Sequence, residues 1–217
     1  MKKVGLPIII SAPSGTGKTT TCKRLKQRLP NLKIATSHTT RKIRTGEIQG
    51  VDYFFISKEE FESKKNNNDF LEWAKVHREY YGTSFEALDK HRQNGFDILL
   101  ELDIQGVNSL RNMDFEGIYI MILPPSIEEL AKRLKKRGTE TEEDIEGRLK
   151  TGKEEIKDYK KYDYVITNFE VEETVESILA IVRAEKSRVA RYIPTSEDIK
   201  ELLGLSLIHI SEPTRPY

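Results

Sequence analysis

The chain has 217 residues, of which 33% are charged and 37% hydrophobic, and its formal net charge is +1. This composition is typical of a globular protein, and the near-zero net charge gives no reason to expect nucleic acid or an anionic membrane as partner. The single cysteine, Cys22, excludes an intramolecular disulfide framework and a cysteine-rich metal site. No stretch reaches the roughly 20 apolar residues of a membrane helix, so we expect a cytoplasmic protein.

The first element is a strand that runs into a glycine-containing turn and then a helix. The apolar residues 8–10 precede a turn that ends in Gly17-Lys18-Thr19. This order matches the pattern G-x-x-x-x-G-K-S/T except that Ala12 stands where the pattern has glycine. Backbone N–H groups of such a turn surround a phosphate at a helix N-terminus, Lys18 reaches the β- and γ-phosphates, and the Thr19 hydroxyl binds Mg²⁺. The predicted triphosphate site comprises Ala12, Pro13, Ser14, Gly15, Thr16, Gly17, Lys18, Thr19 and Thr20; the alternative is an ordinary loop.

Strand and helix signals then alternate along most of the chain, which predicts a parallel sheet flanked by helices. Pro30 ends the first helix near Leu29. The later helices are expected from Ser57 through Phe61, at 84–94, from Ser126 to Gly138 and at 171–190, and the strands at 70–76, 97–103, 117–123 and 164–167.

Two segments depart from this alternation. Residues 37–95 contain short strands, turns and many aromatic side chains, and we interpret them as an inserted mixed α/β subdomain. The highly charged residues 126–161 are interpreted as a helical lid. The fold class is therefore α/β, of the P-loop NTPase type. The core domain is expected to comprise residues 1–36, 96–125 and 162–190, and a C-terminal extension is expected at 191–204.

The last residues, 205–217, do not continue the pattern. They resemble the translation of a sequencing-library transposase adapter, which predicts a non-native tail that replaces the natural C-terminus. The alternative is an ordinary frayed end. We leave this segment out of the functional interpretation.

A basic segment early in the insert is a candidate anion site. Arg41 and Arg44 lie three residues apart among hydroxyl side chains, and arginine binds a phosphate dianion through two parallel N–H groups. The phenols of Tyr53 and Tyr81 could donate to the same phosphate. The alternative for this charged run is a solvated surface.

Charged side chains in the buried strand at 97–103 and in the lid are candidates for the chemistry. Glu101 and Asp103 lie two residues apart, so both face the same side of the strand, and Asp103 stands at its carboxyl end as a candidate for Mg²⁺. In the lid, Arg137 and Arg148 could stabilise a transferring phosphoryl group. The alternative for Asp103 is a buried structural carboxylate. The alternative for Arg148 is a surface ion pair with Asp144.

Together these segments closely resemble the guanylate kinase family over residues 5–186. The matching strings are Ser11-Ala12-Pro13-Ser14-Gly15, Gly17-Lys18-Thr19, Thr39-Thr40-Arg41 with Arg44, Gly46-Glu47, Asp52-Tyr53, Glu72-Trp73-Ala74, Tyr80-Tyr81-Gly82-Thr83, Gln105-Gly106-Val107, Pro124-Pro125-Ser126 and Arg137-Gly138-Thr139-Glu140.

The resemblance implies Mg²⁺-dependent phosphoryl transfer from ATP to GMP, with residues 37–95 binding GMP. It assigns the GMP phosphate to Arg41, Arg44, Tyr53 and Tyr81, and guanine to Ser37, Glu72 and Thr83. Glu101 and Asp103 also belong to the expected GMP side, Thr19 and Asp103 to the metal, and Asn168 to the adenine edge of ATP. The expected catalytic residues are Lys18, Arg41, Arg137 and Arg148.

Chemistry supports the guanine assignment. Guanine presents N1–H and N2–H₂ as adjacent donors, which a carboxylate such as that of Glu72 accepts in pairs. Two alternatives stay open: a non-catalytic guanylate-kinase-like interaction module, and a P-loop kinase for another phosphorylated acceptor. Self-association into a homo-oligomer is also left open by the sequence.

Overall fold

A central sheet of five parallel strands forms the core of the structure, a computed structural model that describes residues 5–76, 78–136 and 142–191. Its strands are β1 (Pro7–Ser11), β2 (Leu32–Ile34), β7 (Asp97–Leu102), β8 (Ile118–Leu123) and β9 (Tyr164–Thr167). They lie in the order β2-β7-β1-β8-β9. Both neighbours of β1 run parallel to it, with Ile10 beside Glu101 on one side and beside Ile120 on the other.

Helices cover both faces of this sheet, as the alternating pattern predicts. On one face α1 (Lys18–Arg28) and α7 (Val171–Lys186) pack Leu25 and Ile178 against Ile8 and Ile10. On the other face α3 (Phe85–Arg92) and α4 (Ile104–Asn112) contribute Leu88, Val107 and Leu110. Strands that are apolar on both faces need such two-sided cover, which explains why β1 reads as a continuous apolar run. The predicted α/β fold class is confirmed.

A second, mixed sheet lies within the predicted insert. It comprises β3 (His38–Thr39), β4 (Phe54–Phe55), β5 (Phe70–Val76) and β6 (Glu79–Ser84), in the order β4-β3-β6-β5. Helix α2 (Lys58–Asn66) packs on it through Phe61, whose ring lies 4.5 Å from that of Phe70 and 5.3 Å from that of Tyr80. The Ser57 hydroxyl caps this helix by accepting from the Glu60 N–H, as predicted, although the helix extends beyond the expected Phe61.

The charged segment that we interpret as a lid contains α5 (Ile127–Lys136) and α6 (Glu142–Lys157), followed by a 3₁₀ turn at Asp158–Lys161. Leu130, Leu134 and Ile145 form a small buried cluster between the two helices. The Ser126 hydroxyl caps α5 by accepting from the Glu129 N–H at 3.1 Å. The predicted end at Gly138, and Arg137 with it, lie outside the described residues.

Several elements differ from the sequence-based expectation. Strands β2 and β6 and helix α4 were not predicted, because β2 is only three residues long and α4 carries a glycine and several polar residues of low helix propensity. Helix α7 ends at Lys186, before the expected Ala190, and a 3₁₀ turn follows at Val189–Arg191. Helix α4 forms because Asp103 caps it and because it buries Val107 and Leu110 in the core.

The chain divides into two units, Met1–Val182 and Arg183–Tyr217. In the described part of the second unit, Glu185 forms ion pairs with Arg188 and Arg191. The predicted division into core, insert and lid stays a prediction, and the expected tail at 205–217 lies outside the described residues. Within residues 5–76, 78–136 and 142–191, no helix has both the length and the apolar character needed to cross a bilayer.

Candidate active site

The turn between β1 and α1 has the backbone of a phosphate-binding loop. Gly15 and Gly17 adopt positive φ angles of 92° and 104°, and Gly17 is the N-cap of α1. These conformations favour glycine, since a Cβ atom is strained in the left-handed region. Among the described non-glycine residues only Asn68 and Asp114 have positive φ, so Ala12 occupies an ordinary conformation. Alanine is therefore tolerated at the one place where the loop departs from the general pattern.

Lys18 and Thr19 both contact the end of the neighbouring strand β7. The Lys18 ammonium donates to the Leu102 carbonyl at 2.7 Å, and the Thr19 hydroxyl donates to Glu101 Oε1 at 2.6 Å. Asp103 instead caps α4 by accepting from the Gly106 N–H at 2.8 Å. Glu101 is therefore the carboxylate that contacts the predicted metal-binding hydroxyl. The sequence indicated both acidic residues but not their separate surroundings, because the helix that Asp103 caps was not predicted.

Three predicted guanine-binding residues come together on the mixed sheet. Glu72 and Thr83 are cross-strand partners on β5 and β6, and the Thr83 N–H donates to Glu72 Oε1 at 2.9 Å. The Thr83 and Ser37 hydroxyls share a hydrogen bond of 2.9 Å. Glu72 is only 7% exposed, and this burial raises the pKa of its carboxyl to about 7, with a smaller contribution from the negative charge of Asp103. The cluster combines a buried carboxylate with two hydroxyl groups.

Sequence reasoning did not identify Gly106 as part of this site. A Cβ atom at Gly106 would lie 2.7 Å from Glu72 Oε2, so a side chain there would displace the carboxylate. Gly106 occupies the first turn of α4, the helix capped by Asp103. Helix α4 therefore connects the carboxyl end of β7 with the buried carboxylate of the mixed sheet.

The predicted phosphate-binding side chains form a second group on the mixed sheet. The Arg41 guanidinium lies 5.5 Å from the Tyr53 ring centroid and 5.6 Å from that of Phe55. The Tyr53 and Tyr81 rings meet edge to face at 6.0 Å, and burial raises the pKa of the Tyr53 phenol to about 12. Arg44 is exposed on the neighbouring loop. The structure thus brings Arg41, Tyr53 and Tyr81 together.

Glu47, for which the sequence indicated no function, pairs with Arg41. Its carboxylate accepts from Arg41 Nη2 at 2.8 Å and from Arg41 Nη1 at 3.0 Å, which is a two-pronged ion pair. It also accepts from the Arg44 backbone N–H at 2.8 Å. The glycine that precedes it and its six-residue separation from Arg41 were visible in the sequence, but nothing there indicated this pairing.

The two helices of the predicted lid contact the phosphate loop through two arginines. Arg148 on α6 donates to the Ser14 hydroxyl at 2.8 Å. Arg133 on α5 donates to the Thr16 carbonyl at 3.2 Å and to the Asn168 carbonyl at 3.3 Å. Arg148 is thus already beside the loop, whereas Arg133 links backbone segments. Arg137, which the sequence indicated together with Arg148, lies outside the described residues.

Asn168 is buried behind the phosphate loop, with 1% exposure. Its side-chain amide donates to the Thr16 carbonyl at 2.7 Å, and its Oδ1 accepts from the Thr174 hydroxyl at 2.9 Å. A Cβ atom at Gly17 would lie 2.7 Å from Asn168 Nδ2, so the close packing here also requires glycine. These contacts anchor the loop; an adenine contact by Asn168 stays a prediction.

The sequence did not indicate a carboxyl group and two hydroxyl groups that are buried near the end of the central sheet. Burial, followed by the charge of Asp103, raises the pKa of Glu155 on α6 to about 7. The hydroxyls of Ser11 and Tyr162 are buried, and burial raises the pKa of the Tyr162 phenol to about 12. In the sequence Glu155 is one carboxylate among many in a charged helix, so only the tertiary structure distinguishes it.

Comparison with known proteins places these features in a family. The guanylate kinase family model matches residues 5–185. A guanylate kinase from Caldanaerobacter subterraneus subsp. tengcongensis is 50% identical over 191 residues, covering 88% of this chain and 93% of the relative. One from Clostridium tetani is 51% identical over 187 residues, covering 86% of this chain and 89% of the relative.

A solved structure gives the same result. The crystal structure of guanylate kinase from Anaplasma phagocytophilum superimposes with a TM-score of 0.76 at 33% identity, covering 94% of this chain and 98% of that one. Since both the sequence matches and this structure extend over most of the chain, the predicted resemblance is confirmed. The chain belongs to the guanylate kinase family.

Proposed function

We propose that this protein is an active guanylate kinase that transfers the γ-phosphoryl group of ATP to GMP, giving ADP and GDP, in the cytoplasm. The observation that carries the proposal is the buried cluster of Glu72, Thr83 and Ser37 on the mixed sheet. It is connected through Gly106 and Asp103 to the strand end that receives Lys18. An acceptor nucleotide whose base binds this cluster and a donor nucleotide whose phosphates bind the loop can therefore both lie at one end of the central sheet.

The cluster has the donor and acceptor pattern that guanine requires. The N1–H and N2–H₂ groups of guanine donate to the Glu72 carboxylate, while the Ser37 and Thr83 hydroxyls can donate to O6. Adenine offers no such pair of donors on its Watson–Crick edge. It would leave the buried Glu72 carboxylate with its protein donor, the Thr83 N–H, but without the two donors that guanine supplies. Polar sites reject an analogue in this way.

Positive and phenolic side chains hold the acceptor phosphate for in-line attack. In this proposal Arg41 and Arg44 bind the phosphate of GMP, and the Tyr53 and Tyr81 hydroxyls donate to it. Such positioning provides most of the rate enhancement in phosphoryl transfer, because the reaction needs little covalent help from the protein. A phosphate oxygen of GMP attacks the γ-phosphorus, and no covalent enzyme intermediate forms.

On the donor side, backbone N–H groups of the glycine-rich turn and the Lys18 ammonium stabilise the charge of the β- and γ-phosphates. Arg148, which reaches Ser14 in the loop, is placed to stabilise charge on the transferring group. Arg137 keeps the same expected role. Closure of the lid over the nucleotides would also exclude water, which limits hydrolysis of ATP.

The residues at the end of β7 fit a magnesium ion bound together with ATP. Mg²⁺ prefers oxygen ligands and retains waters, and it is usually held by one or two protein groups plus phosphates. Thr19 and Glu101 provide a hydroxyl and a carboxylate in direct contact, and Asp103 is the next acidic group along the chain. Such an ion would neutralise negative charge on the β- and γ-phosphates.

A non-catalytic interaction module would account for the fold but not for the side chains suited to binding phosphates. A protein that only binds peptides would have no need of Lys18 and Thr19 in a phosphate loop, or of Arg148 beside that loop. It would equally have no need of Arg41 beside two phenols. A P-loop kinase for another phosphorylated acceptor would not need the buried carboxylate of Glu72.

The proposal is tested by measuring ADP release from ATP against a panel of nucleoside monophosphates with Mg²⁺ present. We expect turnover with GMP and little with AMP, CMP or UMP. Tight binding of a protein ligand without turnover of any monophosphate would favour the interaction module, and comparable rates with AMP and GMP would reject the guanine site.

A further inference from the structure

The carboxylate of Glu47 joins the Arg41 side chain and the Arg44 backbone within residues 41–47. It accepts two hydrogen bonds from the Arg41 guanidinium and a third from the Arg44 backbone N–H. The Glu47 N–H in turn donates to the Arg44 carbonyl at 3.1 Å. One side chain therefore contacts both the guanidinium of Arg41 and the backbone of Arg44, the two arginines proposed to bind the GMP phosphate.

This ion pair is shielded from water more than an ordinary surface pair. The side chains of Arg41 and Glu47 are 13% and 20% exposed, and the Tyr53 and Phe55 rings lie beside the guanidinium. The hydrogen bonds from Arg41 keep the pKa of the Glu47 carboxyl below its usual value, so the group is ionised. Two-pronged arginine–carboxylate pairs also restrict orientation, which single contacts do not.

Arg41 keeps capacity for a ligand while it is paired. A guanidinium has five N–H groups. Three of them have protein acceptors: one Nη1–H donates to the Lys42 carbonyl, and one N–H each of Nη1 and Nη2 donates to Glu47. The Tyr81 phenol, which is proposed to bind the same phosphate, also interacts with this guanidinium. The Nε–H and the second Nη2–H form the edge that a phosphate can bind with two parallel hydrogen bonds.

We propose that Glu47 is a positioning residue for the acceptor phosphate: it holds Arg41 and the backbone of Arg44 in the arrangement that receives the phosphate and does not itself touch the substrate. The inference rests on the proposed function, since it presumes that GMP binds at Arg41. Without Glu47, Arg41 would sample many rotamers, and binding would have to order it at the cost of side-chain entropy.

The test compares Glu47→Gln with Glu62→Gln, a matched control in which the lost carboxylate forms an ion pair with Lys65 on α2 of the same sheet unit. Dissociation constants of GMP and of guanosine are measured by calorimetry or by competition, together with the melting temperature. Guanosine lacks the phosphate, so it reports on the base site alone. We expect E47Q to weaken GMP binding by about tenfold and to leave guanosine within about twofold, and E62Q to change neither.

A second measurement asks whether Glu47 acts through Arg41. In the R41A background, E47Q should weaken GMP binding by less than about twofold, because coupled residues have non-additive effects. Equal weakening of GMP and guanosine would overturn the proposal in favour of a general structural role. Tighter GMP binding by E47Q would also overturn it, since Glu47 would then compete with the phosphate, as would unchanged binding. If the wild-type protein failed to bind GMP at all, the proposed function itself would fail.

Discussion

The replacement Glu72→Gln tests the guanine site with little change of shape. Glutamine can still accept from the Thr83 N–H, so the contact of 2.9 Å that orients the side chain is retained. At Oε2, beside Gly106, the variant would instead present an NH₂ group. That group faces the N–H donors of bound guanine, and donors that face each other in a buried site are left without acceptors.

The magnitude follows from the burial of this group. Glu72 is 7% exposed, so water cannot replace the lost acceptor. A buried unsatisfied donor costs about 1–3 kcal/mol, and with two donors affected a loss near 3 kcal/mol is expected. Since each 1.4 kcal/mol is about tenfold, kcat/KM for GMP should fall by roughly 10²-fold.

The assay is the initial rate of ADP formation with GMP and with AMP as acceptor. The variant should lose much less activity with AMP, so the preference for GMP narrows. The exposed Glu86→Gln, on α3 after the same strand pair, serves as the matched control and should behave as wild type. Equal losses with both acceptors, or a large fall in melting temperature, would indicate that Glu72 is structural and would refute the reasoning.

The same carboxyl predicts a pH dependence. Burial raises the pKa of Glu72 to about 7 from the ordinary value of 4.5, so the folded protein binds this proton more tightly than the unfolded chain does. The contribution of the protonated carboxyl to the free energy of unfolding is therefore complete below pH 4.5 and is lost as the pH rises through about 7. Guanine needs the ionised form, so guanosine affinity should increase as the pH rises toward about 7 and then level off. Guanosine is used because the phosphate of GMP has its own ionisation near pH 6. A flat profile in the wild type, or an unchanged one in E72Q, would contradict the assignment.

Three further variants test the donor side and the lid. Lys18→Ala should reduce turnover by orders of magnitude while circular dichroism stays unchanged, with the exposed Lys23→Ala as control; wild-type turnover would favour the interaction module. Arg148→Ala should lower kcat by roughly 10³-fold or more with a much smaller change in KM for GMP, and loss of melting temperature without loss of rate would reduce it to a surface ion-pair residue. Asn168→Ala removes the donor to the Thr16 carbonyl, so the free energy of unfolding should fall by about 1–3 kcal/mol in denaturant titration and KM for ATP should rise. An unchanged stability with a higher KM would instead support an adenine contact alone.

Short-range patterns were sufficient for the phosphate loop and for most helices. The turn with positive φ angles at Gly15 and Gly17 depends on residues a few positions apart, and so do the helix caps at Ser57 and Ser126. These features can therefore be predicted directly from the sequence. Helix α4 was missed because it depends on burial of Val107 and Leu110 and on the cap from Asp103 rather than on propensity.

By itself the sequence determined the fold class, the family and the residue types of both nucleotide sites, because these reside in local patterns and ordered motifs. Only the tertiary structure decided which partner each side chain has. It assigned Glu101 rather than Asp103 to the Thr19 hydroxyl, placed Gly106 against Glu72, and paired Glu47 with Arg41. The physical reason is that hydrogen bonds and the desolvation that shifts a pKa depend on groups brought together by sheet register and helix packing, which sequence spacing does not encode.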